Sequence, residues 1–196
     1  MRLRCRFNKL LVYATFVYAS WTSYLITGYG INEQLWFEVL FPENVAYTYR
    51  IKSARDFGAV LSQPLQQVNL VPVVPAEACG QLLDNGHLLQ NQVALITRGG
   101  CSFVTKAIHA ELYGAAAVII SDHNFDSVTQ WVDMIDDGSN RGRLVGIPAF
   151  YLLGKDGNMI REAVSGKNAA AAIINLPVNY TTTASGSLHQ PPWDHW

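Results

Sequence analysis

Charge is scarce in this chain of 196 residues, and the place where its basic part sits excludes a class of partners. Charged residues make up 15% of the sequence, 14 Lys and Arg against 15 Asp and Glu. Four of the 14 (Arg2, Arg4, Arg6, Lys9) fall within the first nine residues, so the rest is mildly acidic and carries no basic run. Nucleic-acid backbones are bound by clustered Lys and Arg, so nucleic acid is not expected as a partner. After residue 19 no apolar run reaches the ~20 residues that cross a bilayer, and no membrane span is expected. Cysteine is nearly absent, at three, with no CxxC pair and no cluster of histidines to complete a four-ligand metal site. His87, His109, His189 and His195 are scattered. The stretch 122–137 holds Asp122, Asp126, Asp133, Asp136 and Asp137 without the regular Asp-x-Asp-x-Asp-Gly spacing of a calcium loop, and reads as a solvated acidic face. Missing too are the G-x-S-x-G elbow, H-E-x-x-H, the P-loop and G-x-G-x-x-G. Ser121-Asp122-His123 has the residue types of a hydrolytic triad, but neighbours in sequence do not converge as a triad must. No catalytic residue, metal or cofactor is therefore assigned, and the chain is read as not an enzyme.

What is present is enough apolar sequence, 49%, to bury one core in one domain. The basic first residues precede an uncharged apolar run of ten at 10–19, the layout of a secretory signal peptide. Val17 and Ala19 suit cleavage after Ala19, with Ser20 and Ser23 as alternatives, so residues 1–19 are expected to be removed and the rest secreted through the endoplasmic reticulum. Cys5 leaves with that segment. Cys79 and Cys101 remain, an even count that permits one disulfide between them; two buried free thiols are the alternative. Asn179-Tyr180-Thr181 is the single glycosylation sequon, placed after an apolar run and Pro177 where a surface loop is expected.

Along the body, β and α signals alternate. Residues 35–40, 47–51 and 68–74 read as short strands near a sheet edge, the third interrupted by Pro72. Val93–Thr97 is a buried strand, Ser102 an N-cap, and Phe103, Val104, Ala107, Ile108 and Leu112 recur at helical spacing with Thr105, Lys106 and His109 on the other side. Gly114 suits the left-handed position after the helix, and a second strand follows at 116–121. A strand–helix–strand unit of this kind joins parallel strands. Residues 147–153, 157–164 and 170–176 repeat the order, leaving an irregular tail.

Arg98-Gly99-Gly100-Cys101-Ser102-Phe103, with its preceding strand, its helix and Ala117-Val118-Ile119-Ile120-Ser121-Asp122, closely resembles the hallmark of the protease-associated (PA) domain. Gly146-Ile147-Pro148-Ala149-Phe150 and Gly154-Lys155-Asp156-Gly157 resemble its closing strand and helix. The resemblance covers about residues 65 to 176. It implies a single α+β domain of the swivelling β/β/α type, a twisted, partly closed sheet flanked by helices. Residues 20–64 would supply N-terminal strands packing on that body, and 177–196 a glycosylated segment and aromatic tail. It also implies a non-catalytic role in binding or regulating proteins.

The loop has a chemistry of its own. Gly99 and Gly100 let the backbone approach a ligand, and the N–H groups opening the helix carry partial positive charge, so with Arg98 as a clamp the stretch Arg98, Gly99, Gly100, Ser102 and Phe103 suits a carboxylate or peptide. Alternatively the glycines only make the turn, the cysteines tie it down, and Arg98 pairs with an internal carboxylate such as Glu77. Trp193 and Trp196, behind Pro191-Pro192, either fold back over the domain or dock on a partner, because tryptophans often anchor interfaces. The reading is a secreted binding module for a protein or peptide. The alternatives are an accessory or inhibitor of an extracellular protease, or a purely structural glycoprotein.

Overall fold

The computed structural model describes residues 34–178 and 189–194. The proposed signal peptide, the Asn179 sequon and Trp196 lie outside these residues. Successive side chains of a strand point to opposite faces, and in the strand Ala117–Ser121 both faces are buried. Ala117 and Ile119 belong to one apolar cluster, Val118 and Ile120 to another. The same split divides Val93 and Leu95 from Ala94 and Ile96, and Phe150 and Leu152 from Ala149 and Tyr151.

The reason is closure. The strands are β1 (Gln34–Phe41), β2 (Thr48–Ser53), β3 (Leu65–Pro72), β4 (Val93–Thr97), β5 (Ala117–Ser121), β6 (Ala149–Leu152) and β7 (Ala172–Leu176). They form a closed barrel in the order β1-β2-β6-β5-β4-β3-β7. β3, β4, β5 and β6 run parallel, as the crossover reading of residues 93–121 requires, and the other pairings are antiparallel. One face of all seven strands meets inside, where Phe37, Tyr49, Leu70, Leu95, Ile119, Leu152 and Ile174 are fully buried. The expected partly closed sheet is thus corrected to a closed barrel, and the expected edge strands are interior staves. β7 supplies the difference by pairing with β1 on one side and β3 on the other. β1 and β2, from the segment 20–64, are staves of this same barrel.

Two helices sit on the frame. Helix α1 (Phe103–Leu112) packs Val104, Ala107 and Ala110 on the outer cluster, ahead of Gly114 at φ +77°. Helix α2 (Gly154–Gly166) turns Ile160, Ala163 and Val164 toward the inner cluster. Its first turn is pressed on the end of β5, where a side chain at Gly157 would collide with Ser121 and one at Gly154 with the carbonyl of Asn124. The loops after β4 and β5 and the start of α2 after β6 therefore meet at the carboxyl end of the parallel strands, the end at which ligands bind in open α/β sheets.

Candidate functional site

The loop that leaves β4 is held from several directions. Arg98 N–H donates to the Ser121 carbonyl at 2.8 Å, tying the loop to the end of β5. Gly99 and Gly100 follow at φ +119° and +74°, conformations that glycine adopts without steric cost. A side chain at Gly100 would also lie 2.8 Å from Cys79 Sγ and collide with Glu77. Cys101 is disulfide-bonded to Cys79, with Cα atoms 5.6 Å apart, as the count of two cysteines allowed. Ser102 caps α1, its hydroxyl accepting from Thr105 N–H at 3.2 Å.

Beneath the loop lies a lysine from the side of α1 opposite its apolar spacing. Lys106 is fully buried, and its Nζ donates to the carbonyls of Glu77 at 2.5 Å and Gly99 at 2.6 Å. Burial lowers its pKa to about 8, against the opposing pull of the Glu77 charge. His109, one turn on, is buried and hydrogen-bonds the Ala78 carbonyl through Nδ1 at 2.7 Å. Lys106 and His109 lie on the side of α1 away from its apolar spacing and are buried all the same, because segment 76–79, drawn in by the disulfide, covers that side.

Arg98 turns away from Glu77 and toward Asp122. Its Nη1 lies 3.3 Å from Asp122 Oδ1, and its guanidinium carbon lies 6.0 Å from the centre of the Phe103 ring. The arginine side chain is 34% exposed and the carboxylate 3%. Burial alone would raise the Asp122 pKa. Hydrogen bonds from Tyr151 Oη at 2.6 Å and from the backbone N–H groups of His123 and Asn124, with the Arg98 charge, outweigh burial and hold it below the usual range. The Tyr151 hydroxyl is in turn pushed up, by burial first and by Asp122 second.

A second carboxylate stands at the start of α1. Ser102 Oγ donates to Asp137 Oδ2 at 2.6 Å, and Arg141 Nη2 reaches the same oxygen at 3.2 Å and Thr105 Oγ1 at 3.0 Å. The Asp137 pKa is lowered chiefly by the Ser102 and Ser139 hydroxyls. Asp133 pairs with Lys52. Asp126, Asp133 and Asp137 of the acidic stretch are exposed and Asp122 is buried, and three of its carboxylates, Asp122, Asp133 and Asp137, also fasten the loop after β5 to the barrel and to α1. Carboxylates of the chain itself stand at Arg98 and at the N-cap, the two places where the sequence suggested those of a ligand.

The triad types do not converge. His123 Nδ1 lies 2.9 Å from Asp122 Oδ1, but Ser121 Oγ donates to the Ile96 carbonyl at 3.4 Å and accepts from Arg161 Nη2 at 3.3 Å. Among the described residues no group of three His, Cys, Asp or Glu side chains is placed to hold a metal ion, and no helix is long and apolar enough to cross a membrane.

Trp193 is folded back. Its Nε1 donates to Asp156 Oδ1 at 2.8 Å, and its ring meets Tyr47 edge-on at 5.9 Å. Asp156, in the first turn of α2, is 2% exposed. Burial pushes its carboxyl up to about 7, with the Trp193 hydrogen bond opposing the rise. Sequence reasoning missed Lys106, Asp137 and Asp156 as anchoring groups. Their distant partners Glu77, Ser102 and Trp193 lie 29, 35 and 37 positions away in the chain, with no short motif to join them.

A closed barrel of this topology, with a disulfide-tied loop leaving its second parallel strand, defines a small βα domain whose loops cluster at one end. A family model described as the PA domain matches residues 66–160. The PRADC1-like protein of Drosophila melanogaster is 42% identical over 168 residues, covering 85% of this chain and 84% of that protein. ER degradation-enhancing alpha-mannosidase-like protein 3 of Xenopus laevis is 33% identical over 142 residues, but the chain spans only 15% of its length. Among solved structures, a zinc aminopeptidase from Bacillus subtilis aligns with a TM-score of 0.52 at 21% identity, covering 74% of this chain and 30% of that enzyme, a likeness of fold alone. The chain belongs to the PA-domain family.

Proposed function

We propose that this protein is a secreted, non-enzymatic module that binds a protein or peptide through Arg98, Gly99, Gly100, Ser102 and Phe103. One observation carries the reading. The loop is fixed before any ligand arrives, by the disulfide, by Lys106 and by the N-cap, while Gly100 is exposed and the Arg98 and Phe103 side chains stay partly accessible. A fixed loop loses little entropy on binding, and that favours recognition. A ligand carboxylate would share Arg98 with Asp122, whose three other hydrogen bonds let it release the arginine without being stranded. Secretion is supported by the basic and apolar first residues, and a glycan at Asn179 by its sequon.

The test is capture. The glycosylated chain from culture medium is cross-linked to secreted proteins beside an Arg98→Ala variant, with thermal unfolding of both recorded. A saturable partner lost in a variant that still folds supports the module. A partner captured equally by both moves the contact off the loop, and a changed protease rate in the same mixture assigns the accessory reading.

A further inference from the structure

The C-terminal segment sits at the barrel end as a bound peptide would. Thr48 N–H donates to the His189 carbonyl at 2.7 Å, and His189 Nδ1 hydrogen-bonds the Ala46 carbonyl at 2.9 Å, so the segment enters by pairing with residues 46–48, at the start of β2. The Tyr47 ring meets His189 at 4.7 Å and the edge of Trp193 at 5.9 Å. Pro191 is buried, and Asp194 N–H closes a turn on the Pro191 carbonyl at 3.1 Å. Lys155 Nζ stands 5.9 Å from the centre of the indole ring. At the bottom the indole N–H meets Asp156, a carboxylate that the fold buries to 2% exposure.

These contacts divide labour as peptide sites do: main-chain bonds for hold, pockets for side-chain choice. The aromatic face of Tyr47 accepts any flat apolar ring. Asp156 is more exacting, since only a ring with an N–H at that point satisfies it, and phenylalanine would leave a buried carboxylate without this donor. The turn over Pro191 sets the approach. The site is a reader of tryptophan presented behind proline.

We infer that the surface formed by Tyr47, the backbone of residues 46–48, Lys155 and Asp156 is a docking site for a Pro-x-Trp peptide of another protein that enters by main-chain pairing and turns over its proline, occupied in this chain by its own residues 189–194. The own tail then acts as a tethered competitor. Residues 179–188, with three Thr and two Ser among the ten, link it to the barrel in sequence. At an effective concentration of about 1 mM, the order that short links give, a free peptide of ~0.1 mM intrinsic affinity binds roughly tenfold more weakly while the tail is seated. Arg98 takes no part in these contacts, so the fate of this site and that of the loop are separable.

The experiment titrates a capped synthetic peptide spanning residues 187–194 into two full-length chains, wild type and Trp193→Ala, by calorimetry. The expected result is saturable binding to Trp193→Ala, about tenfold weaker binding to wild type, and at least tenfold weaker binding to Trp193→Ala when the peptide carries phenylalanine in place of tryptophan. A Tyr47→Ala change added to Trp193→Ala should abolish it. In parallel, the indole N–H resonance of Trp193 is followed in labelled wild-type chain, and excess unlabelled peptide should move it to the position of a free indole. Equal binding to both chains, indifference to the phenylalanine exchange, or an indole resonance that never moves overturns the proposal. So does a Trp193→Ala chain that fails to fold, since the tail would then be a part of the core and not its ligand.

Discussion

Arg98 and Asp122 face each other across the ends of two neighbouring parallel strands, Nη1 to Oδ1 at 3.3 Å, the arginine one-third exposed and the aspartate almost wholly buried. The pair is unequal, and that orders the effects of removing either member. Arg98→Ala leaves Asp122 with Tyr151 and two backbone N–H groups, and it should cost ~1 kcal/mol or less, as exposed pairs do. Asp122→Ala strands the Tyr151 hydroxyl in a buried site and should cost ~2 kcal/mol or more. Chemical denaturation of both variants measures the order, and a larger loss for Arg98→Ala would make the loop arginine a structural strut.

Gly100→Ala should destabilise by roughly 1–3 kcal/mol, because its backbone sits at φ +74° and the new carbon would press on Glu77 and Cys79. Gly166→Ala, at the end of α2 with nothing within 4 Å of the added carbon, should be neutral or stabilise by up to ~1 kcal/mol. Thermal unfolding of the two single variants tests the contrast.

Lys106 and the disulfide hold the same short segment. Lys106→Met leaves the Glu77 and Gly99 carbonyls without their buried donor and should cost about 2 kcal/mol or more. Replacing Cys79 and Cys101 together with serine should cost about 3 kcal/mol from the lost loop constraint. Combined in one chain, the losses should fall short of their sum, since each change frees residues 76–79 from the other's hold. A double-mutant cycle in denaturant reads the coupling, and strict additivity would show that the two anchors act independently.

Asp156 gives a pH signature. Its carboxyl stands at about 7 in the fold and near 4 when unfolded. The native state thus holds a proton between those values that the unfolded chain does not. The associated stability is fully present below about pH 4 and is lost as pH rises through about 7. Asp156→Asn should remove that dependence, narrowing the fall in stability between pH 4 and 7.5 by up to about 4 kcal/mol. Unfolding curves across this range, wild type against variant, measure it, and parallel curves would refute the assignment.

Much of the frame was legible because local pattern and packing agree in it. Val93–Thr97, the Ser102 cap, the helical spacing of Val104, Ala107 and Ala110, and Gly114 are all decided within a few residues, and each stands where the sequence indicates. Closure was not legible. Residues 172–176 read as a strand, but nothing in Ile173 or Ile174 says that they pair with Phe41 and Val39 on one side and with Asn69 and Val68 on the other. Helical spacing put Lys106 and His109 on one side of α1, and it could not say that segment 76–79 would cover this side as well. The loop was legible as a motif, while nothing local in the acidic stretch said that Asp122 would meet Arg98 or Asp137 the Ser102 cap. Trp193 and Asp156 meet through the fold alone.

A barrel that β7 stitches shut also limits how this domain can be approached. Open sheets offer a row of unpaired amides that another chain can extend, a route both to strand-addition recognition and to fibrous aggregation. Here each of the seven strands already has a neighbour on both sides, so neither route is open along the paired residues, while the Thr48 N–H at the start of β2 takes the His189 carbonyl. Whatever this domain meets has to be read by turns, side chains and the backbone of residues 46–48, and the same restriction guards the barrel against edge-to-edge association.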